Sequence, residues 1–196
     1  MKRLLDIFFS SIGIVVLSPL ILYISIRIKM DTSGNIFYKQ KRVGKGGKEF
    51  FLYKFRTMSA GSDKVDLLTY GTTDARITGF GSFLRRHKLD ELPQLINVLA
   101  GHMSIVGPRP EVKKYVDLYT PEQREILNVR PGITDMASVR FFNENEILAQ
   151  QTQPEQYYIE HIMPEKIRLN QVFITSPNVF NYFRIIALTI KKIAAQ

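Results

Sequence analysis

Asp90 and Glu91 are adjacent carboxylates set among cations, with Arg85, Arg86 and Lys88 just upstream and Arg109 just downstream. Taken alone, such a pair reads as a helix N-cap followed by a first-turn acid, both favoured by the helix dipole. The cations add a second reading, because phosphate chemistry needs both signs of charge. An aspartate is already ionised at neutral pH and needs no general base to attack phosphorus. Its obstacle is repulsion from the anionic phosphate, which arginines and a divalent cation relieve. Mg²⁺ binds through about one or two carboxylates plus substrate phosphates, so Asp90 and Glu91 are the expected metal contacts. Neighbouring positions on a regular helix do not share a face, so the two converge only where the backbone is freer, at a helix start. Pro108-Arg109-Pro110 fixes the backbone on both sides of one guanidinium, whose planar fork suits phosphate oxygens. By itself the same tripeptide is also an ordinary turn with an exposed arginine.

The elements that must hold these groups are legible around them. Leu92, Leu95, Ile96 and Leu99 fall at helical spacing, with Asp90 placed to cap that helix, Pro93 in its first turn and Gly101 at its end. A short helix is expected over 78–86, and Met103–Val106 is an apolar run into the proline-flanked arginine. Residues 36–43 and 49–55 are aromatic runs around Gly44-Lys45-Gly46-Gly47, the pattern of a β-hairpin. Continued alternation puts Lys54 and Arg56 on one strand face, a cationic surface suited to an anion. Residues 59–75 read as a polar loop, and 121–129 as a helix stopped by Pro131-Gly132. In the last segment Phe180, Phe183, Ala187, Ile190 and Ile193 form an apolar stripe, which fits a core helix or an interfacial one. The fold class expected is mixed α/β: helices and a hairpin, with interfacial amphipathic helices.

Composition narrows the partners. A net charge of +9 favours anionic ones, and 45% apolar residues are enough for a packed core. The chain lacks cysteine, which excludes disulfides and thiolate metal sites. His87, His102 and His161 are scattered without zinc-ligand spacing. The Gly44–Gly47 turn lacks the final Ser/Thr of a P-loop, and no nucleophile elbow, RNP1 sequence or zinc finger occurs. A nucleic-acid partner is therefore not expected.

Residues 7–26 carry no charge, and about twenty helical residues cover roughly the hydrocarbon thickness of a bilayer. Three readings compete. A cleaved signal peptide lacks its small-residue cleavage site. A spanning helix has the right length, and its basic downstream domain would stay inside. A helix that enters the membrane, bends and returns has its bend at Ser18-Pro19: Pro19 cannot donate to the carbonyl of Val15, and the Ser18 hydroxyl can reach a freed carbonyl one turn back. Residues alone leave the last two open.

Taken together, Ser18-Pro19, Lys54-Phe55-Arg56-Thr57-Met58, Leu89-Asp90-Glu91-Leu92-Pro93-Gln94-Leu95, Val106-Gly107-Pro108-Arg109-Pro110 and Val129-Arg130-Pro131-Gly132-Ile133-Thr134 carry a resemblance. From Lys2-Arg3-Leu4-Leu5-Asp6 almost to the C-terminus, the chain resembles the bacterial sugar transferase family, the monotopic phosphoglycosyl transferases. The resemblance implies a re-entrant membrane helix over 1–30 and a cytoplasmic, membrane-associated catalytic domain over 31–196, at the inner membrane, in the minimal catalytic form. It implies transfer of a sugar-1-phosphate from a UDP-sugar to undecaprenyl phosphate with Mg²⁺, feeding downstream glycosyltransferases. Asp90 matches the nucleophile that forms a covalent phosphosugar intermediate and expels UMP, and Glu91 its Mg²⁺-associated partner. Arg85 and Arg109 match active-site arginines. After Thr134 the chain departs from the family's pattern: Asp135, Ser138, Phe141 and Phe142 replace its usual residues, and Arg140 is the candidate stand-in for a displaced arginine. That segment, with Asn143, Glu144 and Asn145, is expected to shape the sugar pocket or to form a polar turn. Two rivals stand beside this reading: a membrane-anchored module binding anionic lipid or nucleic acid, and a transferase that passes only the sugar and releases UDP.

Overall fold

The computed structural model describes residues 2–59, 61, 74–175 and 178–195. Most of the polar loop expected over 59–75 therefore lies outside the described residues. Helix α1 runs from Lys2 to Asp31 without interruption, with Pro19 inside it. The carbonyl of Val15, deprived of its helical donor by Pro19, accepts instead from the Ser18 hydroxyl at 2.8 Å. The expected local repair at Ser18-Pro19 is thus present.

Only one side of α1 is covered, and the domain covers it at both ends. Near the start, Arg3 donates to the carbonyls of Val98 (2.6 Å) and Leu99 (3.1 Å), the open end of helix α3 (Gln94–Leu99). Asp6 is buried and its Oδ1 accepts from Ser104 Oγ (3.0 Å), the Ile105 amide (3.0 Å) and Tyr182 OH (2.9 Å). Toward the other end Ile24 and Ile28 pack with Phe55 and Leu84, and Arg56 donates to Thr32 O (2.8 Å) and Oγ1 (2.7 Å). The opposite side leaves Leu4, Phe8, Val15, Val16, Leu22 and Met30 exposed.

Strands β1 (Phe37–Val43) and β2 (Glu49–Phe55) form the expected antiparallel hairpin, with Phe37 opposite Phe55 and Val43 opposite Glu49. The free edge of β2 is held by one side chain. Asn97, fully buried in α3, accepts from the Tyr53 amide at 3.0 Å and donates to the Phe51 carbonyl at 2.7 Å. A primary amide copies the donor–acceptor pair of a neighbouring strand, so the hairpin and α3 are locked in one register. Helix α2 (Gly79–Arg86) is capped by Thr78, whose Oγ1 accepts from the Gly81 amide at 2.9 Å.

Strand β3 (Ser104–Val106) pairs in parallel with β4 (Gly132–Thr134). The two chains touch backbone to backbone: a Cβ built on Gly132 would lie 2.1 Å from the Gly107 nitrogen, so only glycine fits. Helices α4 (Lys113–Val116), α5 (Met136–Arg140), α6 (Glu144–Ala149) and α7 (Pro154–Tyr157) follow. A π-turn over Tyr158–Ile162 joins α7 to α8 (Met163–Thr175). The segment expected as a helix over 121–129 is a 3₁₀ turn, Gln123–Asn128. The largest core cluster gathers Val43, Tyr115, Val116, Ile126, Leu148 and Tyr158.

Helix α9 (Val179–Ala194) buries Tyr182 and Ile185, not the apolar stripe; Phe180, Phe183 and Ile190 of the stripe are exposed. Phe183 meets Phe9 of α1 edge-on, with centroids 5.8 Å apart, so the uncovered apolar sides of the two helices adjoin.

Replacing Asn97 with Ala removes both partly buried bonds that hold the free edge of β2, each worth about 1 kcal/mol net. Chemical unfolding in detergent is expected to show a loss of at least about 2 kcal/mol; a loss under about 0.5 kcal/mol contradicts the assigned role.

Candidate active site

The two carboxylates sit on a tight 3₁₀ turn, Leu89–Glu91, entered through Lys88 in the left-handed region at φ 55°. Asp90 was expected to cap the following helix. It does not: no side-chain cap bond is made, Pro93 occupies the cap position, and the Asp90 carboxylate turns inward. The two neighbouring carboxylates nevertheless share one cation, with Lys54 Nζ 2.8 Å from Glu91 Oε1 and 3.8 Å from Asp90 Oδ2.

Glu91 is the centre of the cluster. Its carboxylate accepts from Lys54 Nζ at 2.8 Å and from both terminal nitrogens of Arg109, one at 3.1 Å and the other closer. The second contact completes a two-pronged guanidinium–carboxylate pair, the strongest geometry available to these groups. Burial would push the Glu91 carboxyl up, but Arg109 and Lys54 outweigh it and hold it well below the usual range. Glu91 in turn raises the Arg109 guanidinium further above its ordinary value. Both remain charged throughout the physiological range.

Asp90 is placed differently. Its nearest cation is Lys54, at 3.8 Å, and among the described residues it makes no hydrogen bond. Burial raises its pKa above the ordinary aspartate value; Lys54, Arg85 and Lys88 oppose that rise and Glu91 adds to it. A desolvated carboxylate with spare lone pairs is more reactive than one whose oxygens are taken. Burial also lowers the Lys88 pKa, with Glu91 and Asp90 opposing it and Arg109 and Lys54 adding to it. The Lys88 ammonium lies over the Phe142 ring at 4.9 Å.

Each cation arrives from its own element. Lys54 comes from β2 and is fixed by the Asn97 clamp. Arg85 comes from the last turn of α2 and donates Nε to Thr57 Oγ1 at 2.8 Å, close enough to Asp90 to feel its charge. Arg109 is carried on the loop after β3, whose amide donates to Asp135 Oδ2 at 2.9 Å. Asp135 is fully buried; it also accepts from Asn170 Nδ2 at 2.8 Å and, through Oδ1, from the Ser138 amide at 2.5 Å.

Thus Lys54, Arg85, Asp90, Glu91 and Arg109 are brought together. Arg56 is not among them: it lies beyond the end of β2 and turns to Thr32 of α1. Arg140 is exposed at the end of α5, with its charge felt at Glu165 rather than at Glu91. Of the segment that departs from the family pattern, Asn143 and Asn145 are exposed, while Glu144 pairs with Lys166 at 2.9 Å. Thr57, Asn97 and Asp135 were not singled out as site supports. Asp135 was named only within the segment expected to shape the sugar pocket, and its bond to the Arg109 amide spans 26 residues; Asn97 gave no signal, because its partners lie 44 and 46 residues away.

Among the described residues no third His, Asp or Glu joins Asp90 and Glu91, so a closed metal cage is not built from this region. The under-coordinated Asp90 carboxylate, beside Glu91, fits an open site that a substrate phosphate completes.

Comparison with known proteins places this geometry in a family. A family model described as bacterial sugar transferase matches residues 1–196. A Xanthomonas campestris pv. campestris protein named UDP-glucose:undecaprenyl-phosphate glucose-1-phosphate transferase is 38% identical over 199 residues, covering 100% of this chain and 39% of that protein. A putative undecaprenyl-phosphate N-acetylgalactosaminyl 1-phosphate transferase of Bacillus subtilis (strain 168) is 45% identical over 133 residues, 68% of this chain and 70% of that protein. A Klebsiella pneumoniae protein, named like the Xanthomonas one, is 32% identical over 195 residues, covering 97% of this chain and 39% of that protein. The chain thus spans well under half the length of two of these relatives. The match over its whole length, with the paired carboxylates and proline-flanked arginine in place, makes this chain a member of the bacterial sugar transferase family.

Proposed function

We propose that the protein transfers a sugar-1-phosphate from a UDP-sugar to undecaprenyl phosphate at the cytoplasmic face of the bacterial inner membrane, starting glycan assembly, with Asp90 as nucleophile. The observation that carries this reading is the division of labour between two adjacent carboxylates: Glu91 is tied to Lys54 and Arg109, and Asp90 is buried among cations with its lone pairs spare. The names of the relatives support the donor and acceptor classes. They print two different sugars, so the sugar itself stays with experiment.

In the first half-reaction an Asp90 oxygen bonds to the sugar-bearing phosphorus of the donor. The bond from that phosphorus to the bridging oxygen breaks, and UMP leaves with the bridging oxygen and its electron pair. In the second, a phosphate oxygen of the polyprenyl carrier attacks the same phosphorus, restoring the Asp90 carboxylate and leaving a polyprenyl diphosphate sugar. Each step exchanges one activated phosphate linkage for another, so no further energy source enters. Arg109 and Lys54 hold Glu91 and present positive charge to the phosphates, and Arg85 does so on the Asp90 side. Mg²⁺ would be held by Asp90 and Glu91 with donor phosphates and water, and when bound would neutralise charge at the phosphorus.

The proposed topology draws its support from α1. A helix of this length extends about 45 Å, and both ends bond to one catalytic domain, Arg3 and Asp6 at the start and Thr32 at the close. A spanning helix would carry one end to the far side of the bilayer, where Arg3 and Asp6 would lose these partners. This supports a helix that enters and leaves by the same face, with the outward apolar residues of α1 and α9 in the lipid.

With Mg²⁺, undecaprenyl phosphate and a panel of UDP-sugars that includes UDP-glucose and UDP-N-acetylgalactosamine, the purified protein is expected to release UMP. Asp90→Asn is expected to reduce that release at least about a thousandfold, as loss of a covalent nucleophile does. Release of UDP instead would establish transfer of the sugar alone. Salt-sensitive RNA binding with no nucleotide released from any donor would favour the binding module. Because the chain has no cysteine, single cysteines introduced near residues 2 and 32 report topology directly. Both are expected to label only from the cytoplasm; labelling of the first from outside would establish a spanning helix.

A further inference from the structure

We infer that Asp135 is a positioning residue for Arg109, and that Asn170 braces Asp135 in turn. The inference rests on the proposed role of Arg109 at the donor phosphates and adds the device that aims it.

The argument begins with the proline-flanked loop. Proline has no amide proton, so Arg109 carries the single backbone donor in Pro108-Arg109-Pro110. That donor goes to Asp135 Oδ2 at 2.9 Å. The neighbouring backbone is tied to β4 by Gly107 N to Thr134 O (3.0 Å) and Gly132 N to Pro108 O (2.9 Å), so the loop is gripped just before and at the arginine. The side chain then leaves this anchored peptide and closes on Glu91.

Burial distinguishes Asp135 from an ordinary helix cap. Its side chain does cap α5 through Ser138, but serine or asparagine would serve that purpose without a fully buried charge. Burying a carboxylate is costly unless it is well hydrogen-bonded. Here three N–H donors, from Arg109, Ser138 and Asn170, satisfy it, and among the described residues it forms no salt bridge. Asn170 is buried too, and its own Oδ1 has no partner. The amide is held for what it donates. A continuous path therefore runs from α8 through Asn170 and Asp135 to the Arg109 peptide, and on through the guanidinium to Glu91. In this chain the loop is thus braced from α8.

The test is a double-mutant cycle on the full chain in lipid nanodiscs, read as UMP release with the most active UDP-sugar of the panel. Asp135→Asn is expected to lower kcat/KM about tenfold, the effect of weakening one charge-assisted bond. In an Arg109→Ala background the same substitution is expected to change kcat/KM by less than about twofold, because the residue it aims is gone. Asn170→Ala, which leaves the Asp135 carboxylate in place, is expected to show a smaller loss, about threefold, with the same dependence on Arg109. Equal losses in both backgrounds, or a fall in thermal midpoint with turnover unchanged, would overturn the inference while leaving the proposed function intact. Unaltered turnover in Arg109→Ala alone would remove the arginine's role and the inference with it. Hydrogen exchange supplies a readout independent of activity. The Arg109 amide is expected to exchange slowly in the parent and at least about tenfold faster in Asn170→Ala and Asp135→Asn; fast exchange in the parent also overturns the clamp.

Discussion

Glu91 is the point on which the site is assembled. One carboxylate gathers a lysine from the hairpin and an arginine from the loop after β3, and so brings together three stretches of chain far apart in sequence. Ionised carboxylates are acceptors only, with about four lone-pair directions between two oxygens. Lys54 and the Arg109 fork take three of those directions and leave Glu91 about one. The consequence falls on the neighbour: Asp90 feels the charges of Lys54, Arg85 and Lys88 without a hydrogen bond from any of them. A buried ion pair of this kind contributes little net stability, because desolvation cancels most of the attraction. Its value is geometric: of two chemically similar groups it leaves Asp90 without a hydrogen-bonded partner among the described residues, as the proposed nucleophile requires.

That arrangement depends on rigid supports away from the chemistry. Asn97 holds the edge of β2, so Lys54 enters at a fixed height. Gly107 and Gly132 let β3 and β4 approach closely enough to carry the proline-flanked loop. Helix α1 belongs to the same framework, since Asp6 joins it to β3 and α9, and Arg3 covers the open carbonyls of α3. The apolar helix is therefore a structural wall of the domain on one side and an exposed apolar surface on the other, the surface that the proposed function sets in lipid.

Local chemistry made much of this legible in the sequence. The hairpin followed from aromatic alternation around a glycine-rich turn. The short helix expected over 78–86 is present as Gly79–Arg86, and the Ser18 repair of Pro19 followed from a side chain acting within a few residues of itself. Asp90 was read wrongly as a cap because Asp-Glu before an apolar period is the ordinary signature of a helix start. The 3₁₀ turn there follows from Lys88 in the left-handed region, a backbone state no residue type announces. Alternation grouped Arg56 with Lys54, but it assumed a strand that runs on past Phe55, where β2 ends. Asn97 could not be found from sequence, because an asparagine looks the same whether it meets water or a strand edge; Asp135 stood out there, but not its hold on the Arg109 amide 26 residues away. The α9 stripe was visible, yet which side it faced depended on Tyr182 finding Asp6, a contact between opposite ends of the chain.

The most direct test of the central claim is peptide-resolved mass spectrometry of enzyme treated with donor and Mg²⁺ in the absence of acceptor and quenched rapidly. The account predicts a phosphosugar mass added to the Asp90 side chain, and its disappearance when undecaprenyl phosphate is supplied. An adduct on Glu91 or on any other residue would contradict it.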